Sequence, residues 1–208
     1  MKKKILLFSL LLAFFNAHPS YGEIVNLEGD IQLLESPESV LNQESSELQI
    51  FVEKQNFILP QDIWTNVPVT IDVPLRWRGW FSQWMYRETN PIPRGTRVNS
   101  YYIYLNPVKI ENVPRKELPV ITATGTVTFS KPILGVIGWG EHLIETNPIF
   151  GLEGVEYSRV GNRLDAPNYW DMTKSDKAII MDTEGKVLQI DFLSADGVDP
   201  IRVITKSD

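Results

Sequence analysis

Short stretches in which apolar side chains occupy every second position recur along most of the chain. Leu48, Ile50 and Val52 follow this period of two, which is typical of a half-buried strand. Residues 97–105 and 122–129 are dense in β-branched and aromatic side chains, the types enriched in strands. These segments predict the central strands of a β protein.

The remaining strands are predicted from turn residues and short apolar runs. Residues 133–137 form an apolar run between a proline and a glycine, which indicates a strand buried on both faces. Residues 177–193 predict a hairpin with Gly185 in its turn, and residues 201–205 predict a last strand. About eight to ten short strands separated by prolines and glycines predict an all-β fold, an antiparallel β-sandwich with a jelly-roll-like arrangement.

Two segments depart from this pattern. Trp77, Trp80, Phe81 and Trp84 recur at helical spacing, so we expect one short helical or loop insertion near residues 75–90. A helical turn or a loop is expected at residues 141–144.

The N-terminus has the features of an export signal. Residues 2–4 are lysines, residues 5–15 are apolar, and small residues precede the expected cleavage after Gly22. A transmembrane anchor is the alternative, but it needs ~20 apolar residues. We therefore expect a signal peptide over 1–22, an N-terminal strand and acidic linker over 23–47, a β-sandwich domain over 48–208, and an extracellular or periplasmic location.

Charge and composition exclude several classes of function. The chain has 20 basic and 26 acidic side chains, and loss of the leader leaves 17 against 26, a net charge of −9. This balance argues against general binding of nucleic acid, which depends on neutralising phosphates. Cysteine is absent, so disulfides, thiol catalysis and cysteine zinc sites are excluded.

Four blocks of the sequence together resemble one protein family. Residues 50–59, 92–108, 125–137 and 199–205 are similar, in this order, to successive blocks of a family of exported bacterial proteins that often carry a C-terminal PEP-CTERM sorting tail. The resemblance implies an extracellular β-rich domain of unassigned activity, and no catalytic residue carries over.

The chain departs from the family pattern in two places. The printed sequence ends at Asp208 without the tail, so free release is expected in place of surface anchoring. The family has a His and an Asp before a Pro-Val pair, and this chain has Tyr104 and Asn106 in their place. Any role of that His and Asp is therefore not expected here.

Few residues of the mature chain are candidates for catalysis. His142, in an expected loop, is its single histidine, and no serine lies in a Gly-x-Ser-x-Gly elbow. A carboxylate pair of a glycan hydrolase or lyase is an alternative, and the candidates are Glu141, Glu145, Asp165 and Asp171. Acidic residues in polar loops also serve solubility, and this interpretation is favoured. Calcium in the loops 165–171 or 191–199 is a minority interpretation, so we expect no metal and no cofactor.

The segment of residues 75–97, here called the Trp/Arg segment, is the strongest local anomaly. It carries five arginines against Glu88 alone, a net charge of +4 within an acidic protein. Basic groups beside aromatic rings suit an anionic polysaccharide, or alternatively a membrane surface. The candidate ligand-binding residues are Arg76, Trp77, Arg78, Trp80, Trp84 and Arg87.

Core packing is the competing interpretation of these rings, because aromatic residues at helical spacing are usually buried. Gly79 weakens a helix interior and permits a loop that exposes them. The sequence therefore predicts an exported, non-catalytic β-sandwich module with a binding or matrix role. Its expected partner is extracellular or envelope polysaccharide.

Overall fold

Nine strands and one helix lie in the described part of a computed structural model, which covers residues 24–65, 91–114, 117–138, 140–160, 164 and 175–208. In chain order they are β1 (Ile24–Gly29), β2 (Ile31–Leu33), β3 (Leu48–Ile58), β4 (Arg97–Leu105), β5 (Ile121–Phe129), β6 (Ile133–Ile137), α1 (Gly140–Phe150), β7 (Lys177–Ile180), β8 (Val187–Ser194) and β9 (Asp199–Lys206).

The strands form two packed sheets, so the predicted all-β sandwich is confirmed. One sheet has four strands in the order β1-β5-β8-β7, and the other has five in the order β2-β3-β4-β9-β6. Every strand pair is antiparallel except β2 with β3, which is parallel. The N-terminal strand predicted before residue 48 is thus two strands, one in each sheet.

The inner core lies between the sheets and follows from the alternating pattern. Leu48 and Ile50 of β3 point inward and pack with Val127 of β5 and Leu188 and Phe192 of β8. These side chains are buried completely. The period of two seen in the sequence therefore marks the inner faces of both sheets.

A second apolar cluster, here called the outer core, covers the other face of the five-stranded sheet. It contains Phe51 of β3 and Tyr102 and Tyr104 of β4, together with Leu143 and Phe150 of α1. Because both faces of β4 are covered, eight of its nine residues are buried. The fold is thus a sandwich with a third, partial layer on one side.

Most local predictions agree with these elements. β7 and β8 form the predicted hairpin, and Gly185 in its turn has a φ of 70°. The predicted connection before β3 is only partly solvated, because Val40 is buried in the outer core.

The helix is the main local correction. The segment 141–144, expected as one helical turn or a loop, belongs to the longer, eleven-residue helix α1, which includes His142. Within the described residues no helix has the length and apolarity needed to cross a bilayer. The insertion expected near residues 75–90 lies outside the described residues.

Candidate functional site

The six predicted ligand-binding residues, Arg76, Trp77, Arg78, Trp80, Trp84 and Arg87, lie outside the described residues. The structure does describe the two stretches that flank them, residues 59–65 and 91–97. We call these two stretches the root. The root fixes the points at which the chain leaves the sandwich and returns to it.

Backbone hydrogen bonds join the two sides of the root. The Ile63 N–H donates to the Ile92 carbonyl at 2.9 Å, and the Ile92 N–H donates to the Ile63 carbonyl at 2.8 Å. Leu59 makes two further bonds across the root: its N–H donates to the Thr96 carbonyl at 2.9 Å, and its carbonyl accepts the Gly95 N–H at 2.9 Å. The Arg94 N–H donates to Asp62 Oδ1 at 2.7 Å. The chain therefore leaves and returns at adjacent positions.

Buried side chains attach the root to the sandwich. Leu59, Ile63 and Ile92 belong to the outer core. Thr65 is also buried and lies on Gly135 of β6, where a Cβ atom would approach the Thr65 Cγ2 to 2.3 Å. Gly135 therefore provides the space that Thr65 occupies.

The solvent-facing side of the root has an aromatic and basic character. Trp64 lies between two buried residues, yet 45% of its surface is exposed. Arg94 and Arg97 are exposed as well, and Arg97 Nη1 donates to Asn56 Oδ1 at 2.9 Å. The described surface of the root thus carries an exposed tryptophan and exposed arginines, the residue types that characterise the Trp/Arg segment.

The candidate carboxylates form no enclosed pair in the described part. Glu141 and Glu145 are exposed on α1, and Asp165 and Asp171 lie outside the described residues. Among the described residues no group of three or more His, Asp or Glu side chains is placed to hold a metal ion.

A fully buried ion pair, which no local pattern in the sequence predicts, lies in the outer core. Arg202 of β9 and Glu53 of β3 are both inaccessible to solvent. Arg202 Nε donates to Glu53 Oε2 at 2.7 Å, and Nη2 donates to Oε1 at 2.7 Å, which is the bidentate geometry of a strong pair. Ser100 of β4 donates to the same Oε2 at 2.7 Å. The pair therefore crosses the three central strands of the sheet.

The same guanidinium group also holds α1. Its Nη1 donates to the Leu143 carbonyl and to Thr146 Oγ1, and its Nη2 donates to Asn147 Oδ1 at 2.8 Å. Burial alone would lower the pKa of Arg202, but the charge of Glu53 and the hydrogen bonds to it raise that pKa above its ordinary value. Arg202 is therefore permanently charged and joins α1 to the sheet.

Aromatic rings enclose this guanidinium. Its Cζ atom lies 5.4 Å from the ring centre of Tyr102, 5.5 Å from that of Phe150 and 5.9 Å from that of Tyr157. Burial raises the pKa of both Tyr102 and Tyr157 far above that of a free tyrosine. With neutral tyrosines and a closed surface, the cluster suits structural support and not proton transfer.

Tyr104 and Asn106 are both fully buried, at the end of β4 and directly after it. Tyr104 packs in the outer core, with its ring 6.3 Å from that of Phe51. The Asn106 amide donates to three carbonyl groups of the connection before β3, those of Val40, Leu41 and Gln43. Asn106 therefore holds this connection against the end of β4.

Asp199 gives the structure a measurable pH dependence. Burial, with repulsion from Asp176, raises the pKa of this carboxyl from 3.8 to about 7. The folded state thus binds the proton more tightly than the unfolded state, so stability should fall as the pH rises from about 4 to about 7.

We expect Asp199→Asn to remove this slope and to raise stability at pH 8 by about 1–2 kcal/mol, allowing for partial solvent screening of the carboxyl. Urea unfolding at pH 5 and pH 8 measures the difference between the variant and the parent. An equal difference at both pH values would contradict the raised pKa.

Comparisons with family models, with characterised proteins and with solved structures give no match.

Proposed function

We propose that this chain is an exported, non-catalytic β-sandwich module that binds an acidic extracellular or envelope polysaccharide through the Trp/Arg segment. The observation that supports the proposal is the root: the chain that carries the six candidate residues leaves and re-enters the described fold at the Ile63–Ile92 pair, and both residues of this pair belong to a buried core. Binding residues are commonly carried by connections that a rigid scaffold positions.

The residue types of the segment match the proposed ligand. Arginine guanidinium groups pair with carboxylate or sulfate groups in a bidentate way, and indole rings stack on the apolar faces of sugars. Arg94 and Arg97, two of the segment's five arginines, are exposed in the root. The segment therefore offers positive charge in a protein whose formal net charge is −6.

A carboxylate-pair glycosidase receives less support. Such enzymes need two acidic groups on opposite sides of the scissile bond, about 5 to 9.5 Å apart. The two described candidates, Glu141 and Glu145, are successive exposed positions of one helix face. Exposed acidic side chains at such positions contribute to solubility, which is the interpretation that the sequence analysis favours for them.

We expect Trp80→Ala or Trp84→Ala to weaken retention on immobilised polygalacturonate about fivefold or more, because each removes a stacking contact worth about 1 kcal/mol or more. Frontal affinity chromatography measures the change, and circular dichroism checks the fold. Val160→Ala, which alters a side chain with 67% exposure elsewhere on the surface, is the matched control.

Three outcomes would contradict the proposal. Loss of the β-rich spectrum in both tryptophan variants would show that these rings are core residues. Unchanged retention would show that they do not contact the ligand. A parent protein that ignores polygalacturonate but sediments with anionic liposomes at low salt would favour membrane-surface association.

A further inference from the structure

Four buried polar side chains lie next to one another on the outer-core face of the five-stranded sheet. Gln49 of β3 pairs with Tyr104 of β4 in the strand register, so the two side chains share one face. Tyr102 lies two positions before Tyr104 on that face, and the two ring centres are 6.1 Å apart. Asn106 follows β4 and donates to the carbonyl of Val40, a residue of the same outer core. We call Gln49, Tyr102, Tyr104 and Asn106 the polar cluster.

The polar cluster lacks hydrogen bonds that buried groups need. Four of its atoms have no hydrogen-bond partner among the described residues: Gln49 Oε1, Tyr102 Oη, Tyr104 Oη and Asn106 Oδ1. Gln49 is 1% exposed, and the other three residues are fully buried. An unpaired buried group costs at least as much as a lost hydrogen bond, and four such costs are a large share of the stability of a domain. The cluster therefore needs partners from a bound species.

We propose that the polar cluster is an enclosed binding site for hydroxyl groups, supplied by internal water molecules or by a small polyol. Both sources present the same O–H group, which donates one hydrogen bond and accepts others. The inference goes beyond the proposed function, because it uses only described residues of the sandwich and does not depend on the Trp/Arg segment.

The chemistry of the four atoms selects a group that both donates and accepts. An amide oxygen only accepts, and Asn106 Oδ1 is fixed in place because the amide nitrogen donates to three carbonyl groups. Burial raises the pKa of Tyr102 and Tyr104 far above that of a free tyrosine, so both phenols stay protonated and can donate. A carboxylate or a sulfate only accepts and leaves the amide oxygens unpaired. A hydroxyl group serves both kinds of partner.

A metal cation is disfavoured at the polar cluster. The charged guanidinium of Arg202 lies beside it, with its Cζ atom 5.4 Å from the ring centre of Tyr102. Like charges repel more strongly inside a protein than in water, because the effective dielectric constant is lower there. A neutral occupant avoids this cost.

Two segments close the site against solvent. The connection before β3 lies on one side, where Val40 is buried and Asn106 holds the backbone. Tyr157 lies on another side, with its ring centre 5.0 Å from that of Tyr102 and 6.1 Å from that of Phe51. Because the site is closed, its occupant should be small and should exchange slowly with solvent.

The first test uses the direction of a stability change. If bound hydroxyl groups satisfy the phenol, Tyr104→Phe should lower the urea midpoint, because a hydrogen bond is lost. If the phenol is unpaired, its removal should raise the midpoint, because a desolvated polar group disappears. Tyr157→Phe is the reference, since its hydroxyl accepts the Leu152 N–H at 2.9 Å and its removal should lower the midpoint.

The second test detects internal water directly. Magnetic relaxation dispersion of the water signal reports molecules that stay inside the folded protein for longer than it takes to tumble. We expect a dispersion in the parent that decreases in Tyr104→Phe. Val160→Ala, which changes an exposed side chain elsewhere, is the control and should match the parent.

D-galactose distinguishes the two sources of the hydroxyl group. A sugar in the site should reduce the water dispersion of the parent and raise its urea midpoint more than that of Tyr104→Phe. A dispersion that decreases in Tyr104→Phe but does not respond to galactose identifies internal water as the occupant.

Two outcomes would overturn the inference. One is a urea midpoint of Tyr104→Phe above that of the parent. The other is a parent and a Tyr104→Phe variant that agree both in water dispersion and in their response to galactose, since the phenol would then contact no bound hydroxyl group.

Discussion

Replacing Arg202 with methionine is expected to destabilise the protein by about 3–5 kcal/mol, the usual cost of leaving one member of a buried ion pair without its partner. Glu53 would keep the hydroxyl groups of Ser100 and Tyr157 as donors but would lose its counter-charge, in a site that solvent does not reach. At the same time α1 would lose the donors to Leu143, Thr146 and Asn147. Urea unfolding followed by far-ultraviolet circular dichroism measures the loss.

The double variant Glu53→Leu with Arg202→Met is the informative comparison. Apolar replacement of both members of a buried pair is often neutral or stabilising, because the desolvation cost of both charges disappears. We therefore expect the double variant to regain most of the stability that Arg202→Met loses. A double variant as unstable as the single one would show that the bonds from Arg202 to α1 matter more than the buried charge of Glu53.

The position of this pair explains why the stability of α1 and that of the root should change together. Tyr102 and Phe150 surround the guanidinium and also belong to the outer core, which contains Ile63 and Ile92 of the root. Loss of the pair loosens a layer that both features share. The affinity for polygalacturonate should therefore be lower in Arg202→Met than in the parent when both are measured without urea, although Arg202 itself does not reach the surface.

The strands could be predicted from the sequence because their inner faces follow a simple rule. Leu48 and Ile50 are apolar at a period of two, and one face of each sheet must be buried. The β7–β8 hairpin could be predicted because Gly185 supplies the positive φ of its turn. Both signals are local in the sequence.

The outer core could not be predicted in the same way, because it depends on contacts distant in the sequence. Glu53 and Arg202 have the pattern of solvent-facing strand positions, and the docking of α1 and of Tyr157 over the sheet encloses them. The pairing of Ile63 with Ile92 likewise joins positions 29 residues apart in the sequence. No local pattern specifies either contact, and the predicted site residues themselves lie outside the described part.

Gly29→Ala is expected to cost about 2–4 kcal/mol, from a strained backbone together with a steric clash. Gly29 has a φ of 83°, and a Cβ atom there would approach the Thr124 carbonyl oxygen to 2.5 Å. That oxygen also accepts the Asp30 N–H at 2.8 Å, so it cannot move away freely. At this point the chain passes from β1 in one sheet to β2 in the other, and the clash would act on the connection between the sheets.

Gly154→Ala separates the two causes. Gly154 has a φ of 82°, nearly that of Gly29, but nothing lies within 4 Å of its added Cβ atom. We expect this control to lose only about 1 kcal/mol, the cost of the left-handed backbone alone. Urea midpoints of the two variants, compared at equal m values, give the steric part by difference. Equal losses in both variants would mean that the approach of the added Cβ atom to the Thr124 carbonyl oxygen contributes nothing to the loss of stability at Gly29.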